Sequence, residues 1–115
     1  MDAHAAPEVV TTPSGLKYTD DRLGTGAVAE PGKKVTVHYT GWTTDGKMFD
    51  SSVARGTPTT MSLEDVIKGW TEGVSLMVEG ERTRFWIPEN LAYKGEGSGP
   101  KGMLVFDIDL IRIEN

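Results

Sequence analysis

Apolar and polar residues alternate with a period of two in three stretches of this chain, and no segment holds a helical period for more than about two turns. Over Lys34–Thr40, Val35, Val37 and Tyr39 alternate with Thr36, His38 and Thr40. From Arg82 onward Thr83, Phe85 and Ile87 share one face and Trp86 takes the other, until Pro88 stops the strand. Over Met103–Ile113, Leu104, Phe106, Ile108 and Leu110 point one way, and Asp107, Asp109 and Ile111 the other. Such alternation gives antiparallel strands with one buried and one wet face, and the buried face must be covered by another element. One candidate exists between Ser62 and Met77, where Trp70, Val74 and Met77 fall at i, i+4 and i+7. Gly69 and Gly73 interrupt it, so the helix is predicted to be short and held by packing rather than propensity.

The connections agree with a single small sheet. Asp45-Gly46 is a hairpin-turn dipeptide that returns the chain into Lys47-Met48-Phe49, with Phe49 inward. Leu16-Lys17-Tyr18 reads as a short edge strand, Gly24-Thr25-Gly26 and Glu30-Pro31-Gly32 as turns, and Glu79-Gly80-Glu81 as the turn after the helix. A length of 115 residues makes one domain. The Ala-, Pro- and Thr-rich residues 1–13 read as a flexible tail and 14–115 as the domain. The predicted fold is α+β, a twisted antiparallel half-barrel wrapped around one short helix.

Composition and motif context exclude several chemistries. With 17 acidic and 12 basic residues the net charge is −5, which offers no attraction to nucleic acid or anionic membranes. No apolar run reaches the ~20 residues of a membrane span, so the chain reads as soluble. The absence of cysteine rules out disulfides and thiolate metal sites without fixing a compartment. Met1 to Pro7 resembles small-residue sequence near a processing site or a trimmed start, which leaves cytoplasm and periplasm both open. His4 and His38 are the only histidines, and His4 falls in the tail, so no histidine pair can hold a metal in the core. Ser51 or Ser52 with His38 and Asp50 can be drawn as a hydrolase triad, but neither serine sits on a nucleophile turn, and His38 reads as an ordinary strand residue. Gly97, Gly99 and Gly102 match a dinucleotide pattern, yet the stretch contains Pro100 and opens a strand rather than a helix. Asp107 and Asp109 share a wet strand face.

What remains is an aromatic constellation spread over four segments: Val37-His38-Tyr39-Thr40-Gly41, Phe49-Asp50-Ser51-Ser52, Val66-Ile67-Lys68-Gly69-Trp70 and Val105-Phe106-Asp107. Together they predict one apolar pocket to which only Asp50 brings a charge, so its chemistry must work by desolvation and shape. A carboxylate among Phe49, Tyr39 and Trp70 is costly unless paired, and Arg55, in the same loop, is the obvious partner. Large inward aromatics are also ordinary core residues, a reading that weighs most on Trp70 and Phe106.

These motifs, with Asp45-Gly46, Ile87-Pro88 and Leu91-Ala92-Tyr93, stand in an order and spacing that resembles the FK506-binding-protein family of peptidyl-prolyl isomerases over roughly Gly15 to Glu114. The resemblance implies an isomerase of X-Pro bonds that assists protein folding without cofactor, metal or covalent intermediate. By the same resemblance Tyr39, Phe49 and Phe106 form the pocket walls and Trp70 its floor. The backbone of Val66 and Ile67 meets the ligand, Tyr93 gives its hydroxyl to a bound carbonyl, and Asp50, Tyr39 and Tyr93 carry the catalytic role. Implied partners are proline-containing peptides and unfolded or folding proteins, with macrolides such as tacrolimus or rapamycin as ligands, and a monomer is the simplest state. Thr59, Thr60 and Met61 replace aromatic residues common in the family, and the Lys94–Gly102 loop is short, which implies a softer and more open pocket. The alternative is a noncatalytic module that holds proline segments of a partner in the same pocket.

Overall fold

The computed structural model describes residues 9–22, 24, 26–29, 33–93 and 100–114. Its strands are β1 (Val10–Thr11), β2 (Lys17–Arg22), β3 (Lys34–Thr43), β4 (Met48–Ser51), β5 (Thr59–Ser62), β6 (Arg82–Ile87) and β7 (Leu104–Glu114). Helix α1 spans Ser52–Arg55 and α2 spans Lys68–Val74, and a single 3-10 turn covers Glu89–Leu91. The strands form one open antiparallel sheet in the order β1-β2-β6-β7-β3-β4, with β5 also paired to β3. Strand β3 is the spine. One edge pairs with β7 from Lys34↔Glu114 to Thr43↔Leu104, and the other takes β5 at Lys34–Val37 and β4 at Thr40–Trp42.

Alternation places Val35, Val37, Tyr39, Phe85, Ile87, Leu104, Phe106, Ile108 and Leu110 on the buried face, as the pattern predicts. Helix α2 lies against that face with Gly69, Trp70, Gly73 and Val74 buried. The two glycines interrupt helical propensity, but they are also what lets helix and sheet meet. A methyl group at Gly73 would stand 2.7 Å from Phe85 Cε1, and one at Gly69 would collide with Ile87. Each large apolar side chain so buried contributes about 1.5–3 kcal/mol, which holds a seven-residue helix that propensity alone would not.

Several details depart from the sequence pattern. Val10 and Thr11 pair with Tyr18 and Lys17, so part of the expected tail is ordered, and residues 1–8 lie outside the described residues. Strand β2 is therefore not an edge, since it has β1 on one side and β6 on the other. Helix α2 ends at Val74, and Met77 reaches the core from the turn that follows. Strand β7 bulges: Thr36 pairs with Arg112 but Val37 pairs with Leu110. Ile111 is the extra residue, and the bulge lets Leu110 and Ile113 both pack inward. The predicted turn at Glu30-Pro31-Gly32, Thr25 of the other predicted turn and the loop residues 94–99 lie outside the described residues. Among the described residues no helix is long and apolar enough to cross a membrane.

Candidate active site

The pocket opens where α2 meets the inner face near β3 and β4. Asp45-Gly46 makes the hairpin turn, with Gly46 at φ 86°, and β4 returns along β3. Gly41 pairs with Asp50 but Trp42 pairs with Met48, so Phe49 is an extra residue in β4. Such a bulge turns neighbouring side chains toward the same side, and Phe49 and Asp50 both line the pocket. Opposite them Gly41 leaves the space that the rings need, because a methyl group there would lie 2.6 Å from Phe106 and 2.7 Å from Phe49.

Tyr39, Phe49, Asp50, Met61, Asp65, Val66, Ile67, Trp70, Tyr93 and Phe106 enclose a pocket of about 210 Å³. All eight residues singled out from sequence are among them, and Met61 and Asp65 join. The rings pack edge to face: Tyr39 on Trp70 at 5.1 Å and 86°, Trp70 on Phe106 at 5.3 Å and 88°, and Phe49 on Phe106 at 5.5 Å and 88°. This is the favoured arrangement of aromatic quadrupoles and it fixes the walls without a covalent link. Trp70 is 4 % exposed and Phe106 3 %, so they are core and lining at once, whereas Tyr93 at the rim is 38 % exposed. Ile67 is the residue before α2, and its amide has no intrahelical acceptor.

Two acids line the pocket rather than the one expected: Asp65 is exposed, and the charge of Asp50 is neutralised on the spot. Tyr39 donates its phenol proton to Asp50 Oδ2 at 2.6 Å, and Arg55 donates from Nη1 to Asp50 Oδ1 at 2.5 Å and from Nη2 to Tyr39 Oη at 3.1 Å. Burial raises the Asp50 carboxyl, but the bonds from Tyr39 and Arg55 outweigh it and hold the group below the usual carboxylate range. Burial and then the Asp50 carboxylate push the Tyr39 phenol up.

Helix α1, which the sequence pattern did not reveal, is what aims Arg55. Ser51 caps it by accepting from Ala54 N at 3.1 Å, and Gly56 closes it in the left-handed region at φ 78°. Serine followed five residues later by glycine is the signal that was available, too short to carry a helical period. The same turn disposes of the hydrolase drawing. Ser52 Oγ is fully buried, accepts from Tyr39 N at 2.8 Å and meets His38 Nδ1 at 2.8 Å, while Asp50 is bound to Tyr39 and Arg55 instead of the histidine. Strand β5 was likewise not foreseen, and it carries Met61 to the pocket. Among the described residues no three metal-ligating side chains cluster. Of the glycine-rich stretch only Pro100, Lys101 and Gly102 fall within the described residues, and Gly102 donates its amide to Glu89 Oε2 at 2.8 Å.

An open antiparallel sheet around one short helix, with an aromatic pocket and a neutralised carboxylate, defines a class that the comparisons identify. Residues 26–111 match the model of the FKBP-type peptidyl-prolyl cis-trans isomerases. The chain is 50 % identical to the isomerase FkpA of Aeromonas hydrophila, over 99 % of this chain and 44 % of that protein. It is 48 % identical to a probable FkpA of Neisseria meningitidis, over 91 % of this chain and 40 % of that protein. The crystal structure of FkpA from Escherichia coli superposes with a TM-score of 0.87 at 38 % identity, covering 92 % of this chain and 51 % of that one. The chain belongs to the FKBP-type peptidyl-prolyl cis-trans isomerase family. It spans about half the length of these relatives.

Proposed function

We propose that the chain catalyses cis–trans isomerisation of X-Pro peptide bonds in the Tyr39–Phe49–Trp70–Phe106 pocket. The observation that carries this reading is a pocket walled by rings, in which the Asp50 carboxylate beside Tyr39 is already matched by Arg55 and Tyr39 and the other acid, Asp65, is exposed. No nucleophile or metal is required for the reaction. Amide resonance sets a rotational barrier of ~18–20 kcal/mol, and in X-Pro bonds the cis and trans forms lie close in energy. Rotation breaks the resonance and reduces charge separation, so the twisted amide is less polar than the planar one. The aromatic floor and walls formed by Trp70, Tyr39, Phe49 and Phe106 therefore favour the transition state over the ground state.

In this mechanism the proline ring rests on Trp70 between Tyr39 and Phe106. The Ile67 amide donates to one neighbouring carbonyl and the Tyr93 hydroxyl to another, which fixes the flanking chain while the central bond turns. Asp50 acts through the wall: it orients the Tyr39 ring and Arg55 and leaves the substrate a lining of low net charge. Met61 and the open rim suit extended chains, so the substrates are proline-containing peptides and the exposed segments of folding proteins, whose X-Pro isomerisation otherwise takes tens of seconds or more. The same pocket would take macrolides such as rapamycin, and the domain acts as a monomer.

The test is NMR exchange on a Leu-Pro peptide with and without the protein. Faster exchange, blocked by rapamycin and weakened by Asp50→Ala, is expected. Peptide-induced shifts at Trp70 and Ile67 without acceleration would leave a proline-binding module in its place.

A further inference from the structure

A second carboxyl cluster lies on the inner face away from the pocket, where β2 meets the turn into β6. Glu81 is 6 % exposed and its Oε1 accepts from Val78 N at 2.9 Å. Thr83 Oγ1 lies 3.0 Å from Glu81 Oε2 and 2.9 Å from Asp20 Oδ1, and Thr83 is itself buried. Asp20 and Thr83 are directly paired across β2 and β6. One hydroxyl carries one proton, so Thr83 can donate to only one of these oxygens. If both acids were ionised, one of the two contacts would set a lone pair against a lone pair inside the protein.

The charged groups on the surrounding elements do not resolve this. Glu79, on the same turn, accepts from Ile113 N through Oε2 at 2.7 Å. Arg82 on β6 and Asp109 on β7 are register partners on the outer face, opposite to Thr83 in the alternation. Among the described residues no basic group is bonded to either acid in this cluster, in contrast to Asp50.

We propose that Glu81 and Asp20 share one proton in the folded protein, in the chain Glu81–OH to Thr83–OH to the Asp20 carboxylate, and that this proton latches β2 to the turn between α2 and β6. A single proton then satisfies both contacts. Burial, followed by the Asp20 carboxyl, pushes Glu81 up to about 7, in accord with this assignment. The latch has a sign. Between the unfolded value of 4.5 and about 7 the native state holds a proton that the unfolded state has released, so stability falls as pH rises through that window. Losing the proton sets two carboxylates against each other where β2, carrying β1, pairs with β6.

The experiment is a carboxyl-carbon NMR titration of the wild-type chain, with thermal unfolding from pH 5 to pH 8 for wild type and Glu81→Gln. Glutamine donates to Thr83 and accepts from Val78 as the protonated acid does, but it cannot ionise. Glu81 is expected to titrate near neutrality, and wild type to lose on the order of 10 °C in Tm across this range relative to Glu81→Gln. Titration of Glu81 in the ordinary carboxylate range, or a Tm slope that Glu81→Gln leaves intact, overturns the proposal. Should Glu81→Gln fail to fold, the wild-type titration decides alone.

Discussion

Two carboxyl groups sit on the inner face of one sheet and are stabilised in opposite protonation states. Asp50 receives donors from Tyr39 and Arg55 and stays an anion below the usual range, while Glu81 faces Asp20 across a threonine and is pushed up toward neutrality. Burial acts in the same direction on both. The outcome is decided by which neighbours the backbone delivers: α1 swings a guanidinium onto Asp50, whereas the β2–β6 register brings a second acid to Glu81. Inner-face burial therefore says little about a group's charge until its partners are named.

Substitutions break this pairing in graded ways. Glu81→Ala at pH 5 removes the acceptor of the Val78 amide and the hydrogen bond to the buried Thr83 hydroxyl, which keeps only Asp20, so chemical denaturation should give a loss of about 1–3 kcal/mol. At pH 8 the loss should shrink, because the repulsion with Asp20 goes as well. Asp50→Ala should behave the other way round: a kcat/KM on a Leu-Pro peptide down about tenfold, with a stability change below about 1 kcal/mol since the Asp50–Arg55 pair is half exposed. Equal effects of Asp50→Ala on stability and on activity would end the contrast. Tyr93→Phe removes one hydrogen bond at the rim and should lower kcat/KM about two- to tenfold, with Tm unchanged. Smallest of all is the effect of pH on activity. The Asp50 carboxyl is held down and the Tyr39 phenol pushed up, so the profile should be flat from roughly pH 6 to 9, and a limb inside that range would show a titrating group taking part in the reaction.

Strand alternation made β3, β6 and β7 legible, and the spacing of Trp70 and Val74 did the same for α2, because burial on one face repeats with a period that the sequence records. The pocket aromatics followed from those faces together with the family motifs. Features that rest on a single inserted residue or one turn left no period to read. The bulge at Phe49 and the four-residue α1 are of this kind, although both aim groups in the pocket. Gly69 and Gly73 were legible as a cost to the helix but not as its contact surface, since what a missing side chain makes room for depends on Ile87 and Phe85 in a strand met later in the chain. The Glu81–Asp20 pair was invisible for a related reason: its two acids meet only through strand register.

Strand β3 runs its whole length against β7, and Phe106 in β7 closes the pocket begun by Tyr39. Contacts so far apart along the chain carry a large loop-closure entropy, which places this topology among folds that form slowly, in milliseconds to seconds. On the ribosome, the Tyr39 side of the pocket would emerge and wait, with its apolar face uncovered, until β7 had been synthesised. A domain proposed to hasten the folding of other chains thus has an unfinished interval of its own, during which it needs shelter before it can give any.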